Sequence, residues 1–258
     1  MSKSSSSDSV VLLNVDNQIA TVVINRPQRH NSLVPELLTQ LTDSFYQIGA
    51  RQDTKVVVLN AAGESFSTGG DLRAFWQHRD DLETFANGLV ANLNDAIASI
   101  VECDLPVVVA VNGQVTGGSL GLVLACDIAV VTERASFTPY YVDVGFSPDG
   151  GWTALLPDII GHKRAAAVQL LNDTINAQQA VDWGIAHKMT QADQLDQVLD
   201  DICARIIRKK SDSLQITKQL LRGTNYRDRL DDERKAFVRK VVGQEALNGI
   251  EEFIGGRK

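Results

Sequence analysis

"PVVVAVNGQVTGGSLGLVLACDIAVVT", residues 106–132, decides the fold. Two β-branched apolar runs, "PVVVAVN" and "DIAVVT", flank a glycine-rich bend and a short helical run, "LGLVLAC". Strands separated by a helix pair in parallel through a crossover, so this stretch specifies an α/β unit rather than a sandwich. Further out, "KVVVLNA" (55–61) reads as another buried strand, followed by the glycine-bearing loop "AGESFSTGGD". "VVLLNVDNQIATVVIN" (10–25) alternates around Asp16-Asn17 as a hairpin does. In "PELLTQLTDSFYQIG" (35–49), Leu37, Leu38, Leu41, Phe45 and Ile48 share one helical face, and Gly49 ends it. Residues from about 74 to 102 read as helical.

After about residue 160 the strand signals fade. "AAAVQLL", "NAQQAVDWG" and everything from about 193 onward read as helices, and no fixed-period repeat occurs. The expected organisation is a tail over 1–9, an α/β core over 10–197 and a C-terminal helical region over 198–258. The start, "MSKSSSSDS", has no apolar h-region and is not a secretory signal; its low complexity reads as disorder.

Hydrophobic content of 44% and charged content of 22% over 258 residues describe a soluble globular protein with a sizeable core. The longest apolar runs are far too short to span a bilayer. Cys103, Cys126 and Cys203 are scattered, odd in number and without a C-x-x-C pair, which suits a reducing cytoplasm and excludes a disulfide framework. The four histidines have no metal-binding spacing. The net charge of −7 conceals an asymmetry: from Arg205 to Lys258 there are 14 Lys/Arg against 8 Asp/Glu, and before it 11 against 24. The acidic bulk argues against nucleic acid. The basic end either meets a phosphorylated ligand or another subunit, or forms solvated helix faces.

Two loops share a chemical character. "FSTGGDL" (66–72) and "TGGSLGL" (116–122) each follow a strand and place glycines where a helix begins. Glycine admits a close ligand, and a helix start leaves N–H donors unpaired; two converging donors make an oxyanion hole. A Gly-Gly pair alone is also an ordinary turn. The first loop lacks the Gly-Lys-Ser/Thr of a P-loop. "GGSLG" matches a nucleophile elbow, with Asp149 and His187 following Ser119 in hydrolase order, but "GQVT" separates it from the strand the elbow requires. A third feature is "VGFSPDGGWT" (144–153), which sets Asp149 between a proline and two glycines. Pro-Asp-Gly makes a plain surface turn, and it equally presents an acid to a substrate.

"RPQRHNSL" (26–33), "FSTGGDL", "AVNGQVTGGSLGLVLACDIAVV" (110–131), "VGFSPDGGWTALLPDIIG" (144–161), "NAQQAVDWGIAHKM" and "ALNGIEEFIGGRK" together resemble the crotonase superfamily, the enoyl-CoA hydratase/isomerase family, from about residue 10 to the end. The resemblance implies a spiral core of repeated ββα units, a C-terminal helical region serving oligomerisation, and a homotrimer or dimer of trimers. It implies an acyl-CoA substrate, coenzyme A being part of the thioester, with no separate cofactor and no metal. By position, the backbone N–H groups of Gly70 and Gly118 hold the thioester oxygen as an enolate forms. CoA contacts fall near Arg26, Arg29, the backbone of Ser67 and Thr68, and Arg73, with Arg257 and Lys258 able to reach the nucleotide phosphates.

The two glutamates that family hydratases use fall on Gly121 and Tyr141, neither acidic. Without a base to activate water, hydration loses a term typically worth 10²–10⁴-fold. Asp149 remains, in the position where family isomerases carry an acid. One carboxylate suffices to shift a double bond, taking a proton from one carbon and returning it to another. Tyr141, Phe146 and Trp152 would line the acyl pocket and raise the pKa of Asp149. The expected function is therefore an enoyl-CoA isomerase. Three alternatives stand beside it: an enoyl-CoA hydratase, a dehalogenase-like enzyme with Asp149 as nucleophile, and a non-catalytic acyl-CoA binder. If its segment is extended, Asp143 shares a face with Tyr141 and competes as the acid. Asp71 and Asp127 read as structural, and Trp76 as either pocket wall or core.

Overall fold

A computed structural model of the chain describes residues 9–256. Residues 1–8 of the expected tail, and Arg257 and Lys258, lie outside the described residues. Ser9 is part of the fold: its hydroxyl donates to the Val11 carbonyl at 2.7 Å.

Strands β1 (Val11–Asp16) and β2 (Ile19–Ile24) form the antiparallel hairpin, with Asn17 and Gln18 turning at φ 50° and 69°. Helix α1 (Pro35–Gly49) and strand β3 (Val56–Ala61) follow. The stretch expected as one helix is two, α2 (Leu72–Gln77) and α3 (Leu82–Glu102), separated by a 3-10 turn over Arg79–Asp81. Next come β4 (Val107–Val111), β5 (Gln114–Thr116), α4 (Leu120–Leu124), β6 (Ile128–Thr132) and β7 (Ser136–Thr138). Beyond the Asp149 loop are α5 (Leu156–Ile160), α6 (His162–Leu171), β8 (Ile175–Asn176), α7 (Ala177–Asp182) and β9 (Lys188–Thr190). Helices α8 (Leu195–Ile207), α9 (Ser211–Leu221), α10 (Tyr226–Val241) and α11 (Gln244–Ile254) complete the chain.

The main sheet runs β1-β2-β3-β4-β6-β9 and is parallel from β2 onward. A second sheet holds β5, β7 and β8. The chain passes from β4 to β5 to α4, then from β6 to β7, giving one strand to each sheet per turn. That is the repeated ββα spiral. The turn carrying β3 reaches the second sheet through a single bridge, Ser67 to Val115.

β4 is buried along its whole length and β3 over its first four residues, as continuous Val runs in a covered parallel sheet require. Alternate side chains take opposite faces. Val57, Leu59, Val107 and Val109 join the large core with α1 and α3, whereas Val56, Val58, Val108 and Val130 pack against Leu195, Val198, Leu199, Ile202 and Ile206 of α8. The division at 197/198 therefore falls inside a helix that covers the outer face of the sheet. Helix α10 lies along α3, and α11 against α2, on the side of the molecule where the glycine bends open.

Candidate active site

The two bends are stacked backbone to backbone. Gly69 takes φ +71°, and a Cβ there would sit 2.6 Å from the Thr116 carbonyl oxygen, so only glycine permits the approach. Leu33 pairs with the residues flanking Gly70: its N–H donates to the Gly69 carbonyl at 2.7 Å, and its carbonyl accepts the Asp71 N–H at 3.2 Å. In a trans peptide C=O and N–H point oppositely, so fixing the Gly69 carbonyl aims the Gly70 N–H the other way. The second bend uses the same device. The indole N–H of Trp152 donates to the Gly117 carbonyl at 2.7 Å, which turns the Gly118 N–H away from it. Gly118 also occupies the first turn of the 3-10 segment Gly117–Ser119, where no carbonyl stands behind the N–H. Both glycines line one cavity of about 260 Å³.

The cavity is mostly apolar. Leu89, Val90 and Leu93 of α3 form one side, and Phe75, Phe146 and Phe237 form another as a cluster with ring centroids 5.3–6.1 Å apart. Tyr140 and Phe253 stand among its lining residues with 45% and 61% of their surface exposed, marking its open end. Asp149 is the one carboxylate among the described residues that line it. Its Oδ1 would lie 2.7 Å from a Cβ placed on Gly118, so carboxyl and bend are in contact. Burial pushes the Asp149 carboxyl up to about 7; the hydroxyl of Tyr141, donating at 2.5 Å, opposes the rise, and the nearby Glu233 adds to it. The Tyr141 hydroxyl is itself raised well above its usual range, by burial first and then by Asp149.

The Gly121 position has no room for an acid, and position 141 lines the cavity with a phenol in place of one. A Cβ on Gly121 would meet the Gly150 carbonyl oxygen at 2.4 Å and Ile97 at 2.4 Å. The Tyr141 hydroxyl is committed to Asp149. Asp143 does not compete. Residues 141–145 form a turn rather than an extended strand, and Asp143 is exposed and accepts from Asn172 at 2.6 Å. Ser119 is fully buried with its hydroxyl directed to the Thr116 and Ser67 carbonyls, which removes the hydrolase reading.

Of the residues expected at the site, Thr68, Gly70, Gly118, Tyr141, Phe146 and Asp149 line the cavity. Five others lie elsewhere. Trp152 is fully buried behind the second bend and acts on it through Gly117 rather than touching the acyl space. The Ser67 N–H and carbonyl are both consumed, by the Gln114 carbonyl and by the Thr116 N–H. Arg26 and Arg29 turn to Asp71, at 3.7 and 3.0 Å. Arg73 is exposed one residue beyond the start of α2, and its backbone N–H donates to Asp71, the N-cap. Asp127 accepts from the Val107 N–H and from Lys218, each at 2.7 Å, a structural role as expected. Trp76 packs against the core edge with Arg79 over its ring, off the cavity.

Sequence reasoning missed Glu233. Its carboxylate accepts from the N–H groups of Gly151, Thr153 and Ala154 at 2.7, 2.6 and 2.8 Å, and from the Thr153 hydroxyl at 2.6 Å. In "DRLDDERK" it looks like one more solvated charge.

The family model described as Enoyl-CoA hydratase/isomerase matches residues 14–254. A trans-2-decenoyl-[acyl-carrier-protein] isomerase of Streptococcus mutans is 28% identical over 82% of this chain and 81% of its own. A 4-chlorobenzoyl coenzyme A dehalogenase of an Arthrobacter species is 30% identical over 72% of this chain and 68% of its own. An enoyl-CoA hydratase structure from Bacillus halodurans superposes with a TM-score of 0.88 at 22% identity, covering 94% of this chain and 99% of that one, and shares the fold. The three relatives carry three different reactions.

Proposed function

Because the chain belongs to the enoyl-CoA hydratase/isomerase family, we propose that it is an enoyl-CoA isomerase, moving a carbon–carbon double bond along an acyl thioester. One observation carries the reading. Asp149 is the single carboxylate among the described cavity residues, and it touches the Gly118 bend while the Gly121 position is closed to any side chain.

The chemistry follows from this arrangement. The thioester oxygen accepts from the N–H groups of Gly70 and Gly118, which are fixed before reaction by the Leu33 and Trp152 hydrogen bonds. Charge then develops on that oxygen as Asp149 takes a proton from C2 of a 3-enoyl group. The dienolate is held, and the same carboxyl returns the proton to C4, leaving a 2-enoyl thioester. A base with a pKa of about 7 is half ionised at neutral pH and accepts and releases a proton with similar ease. Hydration needs a second acid to activate water at the β-carbon, and the cavity supplies none among the described residues.

No helix among the described residues is long and apolar enough to cross a membrane. For assembly, the homotrimer or dimer of trimers rests on Leu170, Leu171, Leu220 and Leu221, each at least 70% exposed, which a second subunit would cover; light scattering measures its size.

The decisive test supplies 3-enoyl-CoA in isotopically labelled water and follows products by mass spectrometry. The expected result is accumulation of 2-enoyl-CoA with hydrogen exchange and no oxygen uptake. Rapid incorporation of labelled oxygen makes the enzyme a hydratase and overturns the reading. Chloride release from 4-chlorobenzoyl-CoA, with no double-bond shift, assigns Asp149 as a nucleophile instead. Binding without turnover of either compound leaves a non-catalytic acyl-CoA binder.

A further inference from the structure

The turn that carries Asp149 is organised by a side chain from a distant helix. Gly150 and Gly151 take φ +59° and +89°, and the turn they make directs the N–H groups of Gly151, Thr153 and Ala154 onto one anion. The anion is Glu233 of α10, only 5% exposed. Its four donors come from Gly151, Thr153 and Ala154, so they bracket Trp152 on both sides and begin two residues after Asp149. Trp152 fixes the peptide that presents the Gly118 N–H, and Asp149 is the acid of the cavity. One turn of α10 further on, Phe237 supplies part of the cavity wall. A single helix therefore closes the acyl space and grips the loop that holds both the base and the oxyanion support.

We propose that Glu233 is a positioning residue for catalysis: when α10 docks, its carboxylate sets the 149–154 turn, and so aims Asp149 and the Gly118 N–H together. The proposal rests on the reading of Asp149 as the base. Four accepted hydrogen bonds exceed what a surface carboxylate needs, and a buried carboxylate without them would be costly. The titratable groups facing Asp149 are Tyr141, from the preceding turn, and Glu233. Around Glu233 stand Arg229 and Asp232 of its own helix, and Arg229 pairs with Asp158 of α5. Glu233 thus acts on Asp149 in two ways, by geometry and by its charge.

The test uses the full chain with Glu233→Gln and Glu233→Asp, their folding checked by circular dichroism. Three readouts are taken: turnover of 3-enoyl-CoA against pH, KM, and the titration of the Asp149 carboxyl by ¹³C NMR. Glu233→Gln is expected to lower kcat roughly 10–100-fold, the scale of a slight misplacement, with a smaller change in KM. It also removes a negative neighbour, so the Asp149 titration and the acid limb of the rate profile move to lower pH. Glu233→Asp keeps the charge and restores the wild-type limb with part of the rate. Wild-type kcat and titration in Glu233→Gln overturn the proposal. So does a lost rate with an unmoved titration and no rescue by Asp, which marks mere packing. Should Glu233→Gln not fold, hydrogen exchange on the wild type decides. The Gly151, Thr153 and Ala154 amides must open together with α10, and much earlier exchange overturns the coupling. The NMR titration needs no turnover: if it moves while the wild type isomerises nothing, Glu233 still sets Asp149 and only the isomerase reading falls.

Discussion

Asp71 and Asp149 are both carboxylates buried beside a glycine bend, and their surroundings drive them in opposite directions. At Asp71, burial pushes the carboxyl up, but Arg29, the Arg73 N–H and the Ser32 hydroxyl outweigh it, and the group lies below its ordinary value. Arg26 adds a second cation at 3.7 Å. At Asp149 a fuller burial meets one phenol and one negative neighbour, and the carboxyl rises to about 7. The difference is the closer enclosure of Asp149 together with the number and sign of partners. A carboxylate saturated with donors holds a loop and cannot exchange a proton at neutral pH; one left nearly alone can. Asp71 fixes the first bend by capping α2 and gathering the arginines, while Asp149 faces the space that bend opens into.

This contrast can be broken most forcefully at Asp149. Asp149→Asn is expected to lower isomerase kcat roughly 10²–10⁴-fold, because the amide keeps the shape but accepts no proton. Acyl-CoA binding, followed by calorimetry, should survive. A variant retaining more than about a tenth of the wild-type rate removes Asp149 as base.

The same substitution should stabilise the protein. A raised carboxyl contributes stability that is complete below about pH 4 and is lost as pH rises through about 7. Melting curves at pH 8 should therefore favour Asp149→Asn by an amount on the order of 4 kcal/mol, and the two proteins should converge near pH 4. Asp71→Asn tests the reverse sign. The depressed carboxyl stabilises above its unfolded pKa and ceases to as pH falls through its folded one. The variant should lose about 1–2 kcal/mol at pH 7, Arg29 being partly solvated, with the loss vanishing in acid. Equal pH dependence in the two variants would erase the distinction.

The smallest effect belongs to Tyr141→Phe. Its hydroxyl is the donor that holds Asp149 down, so its removal should move the acid limb of the rate profile to higher pH. That direction is opposite to the one expected for Glu233→Gln. Turnover at pH 7 should fall several-fold, roughly 2–10, and recover toward pH 9.

Much of this arrangement was legible in the residues. The hairpin, the buried face of α1 and the parallel Val strands follow from periodicity, because burial on one face or two leaves a pattern along the chain. Asp149 was legible as an acid in a turn that glycines make. Strands β5, β7, β8 and β9 were not, since two or three residues with a single apolar one among them carry no period and become strands only when a neighbour pairs with them. The helix break at 79–81 was equally silent. Arg26 and Arg29 look like free cations until Asp71, more than 40 residues along the chain from Arg29, claims them. Trp152 looks like pocket lining until its N–H is seen to hold the Gly117 carbonyl.

The sequence by itself determined the hairpin, the amphipathic helix α1 and the parallel Val strands, and that one acid stands in the Pro-Asp-Gly-Gly turn. Only the tertiary structure decided what that acid is. Its pKa is set by burial first, then by Tyr141 eight residues away in one direction and by Glu233, 82 residues beyond Gly151, in the other. Electrostatic and hydrogen-bond energies depend on distance through space, and a linear chain does not record that distance.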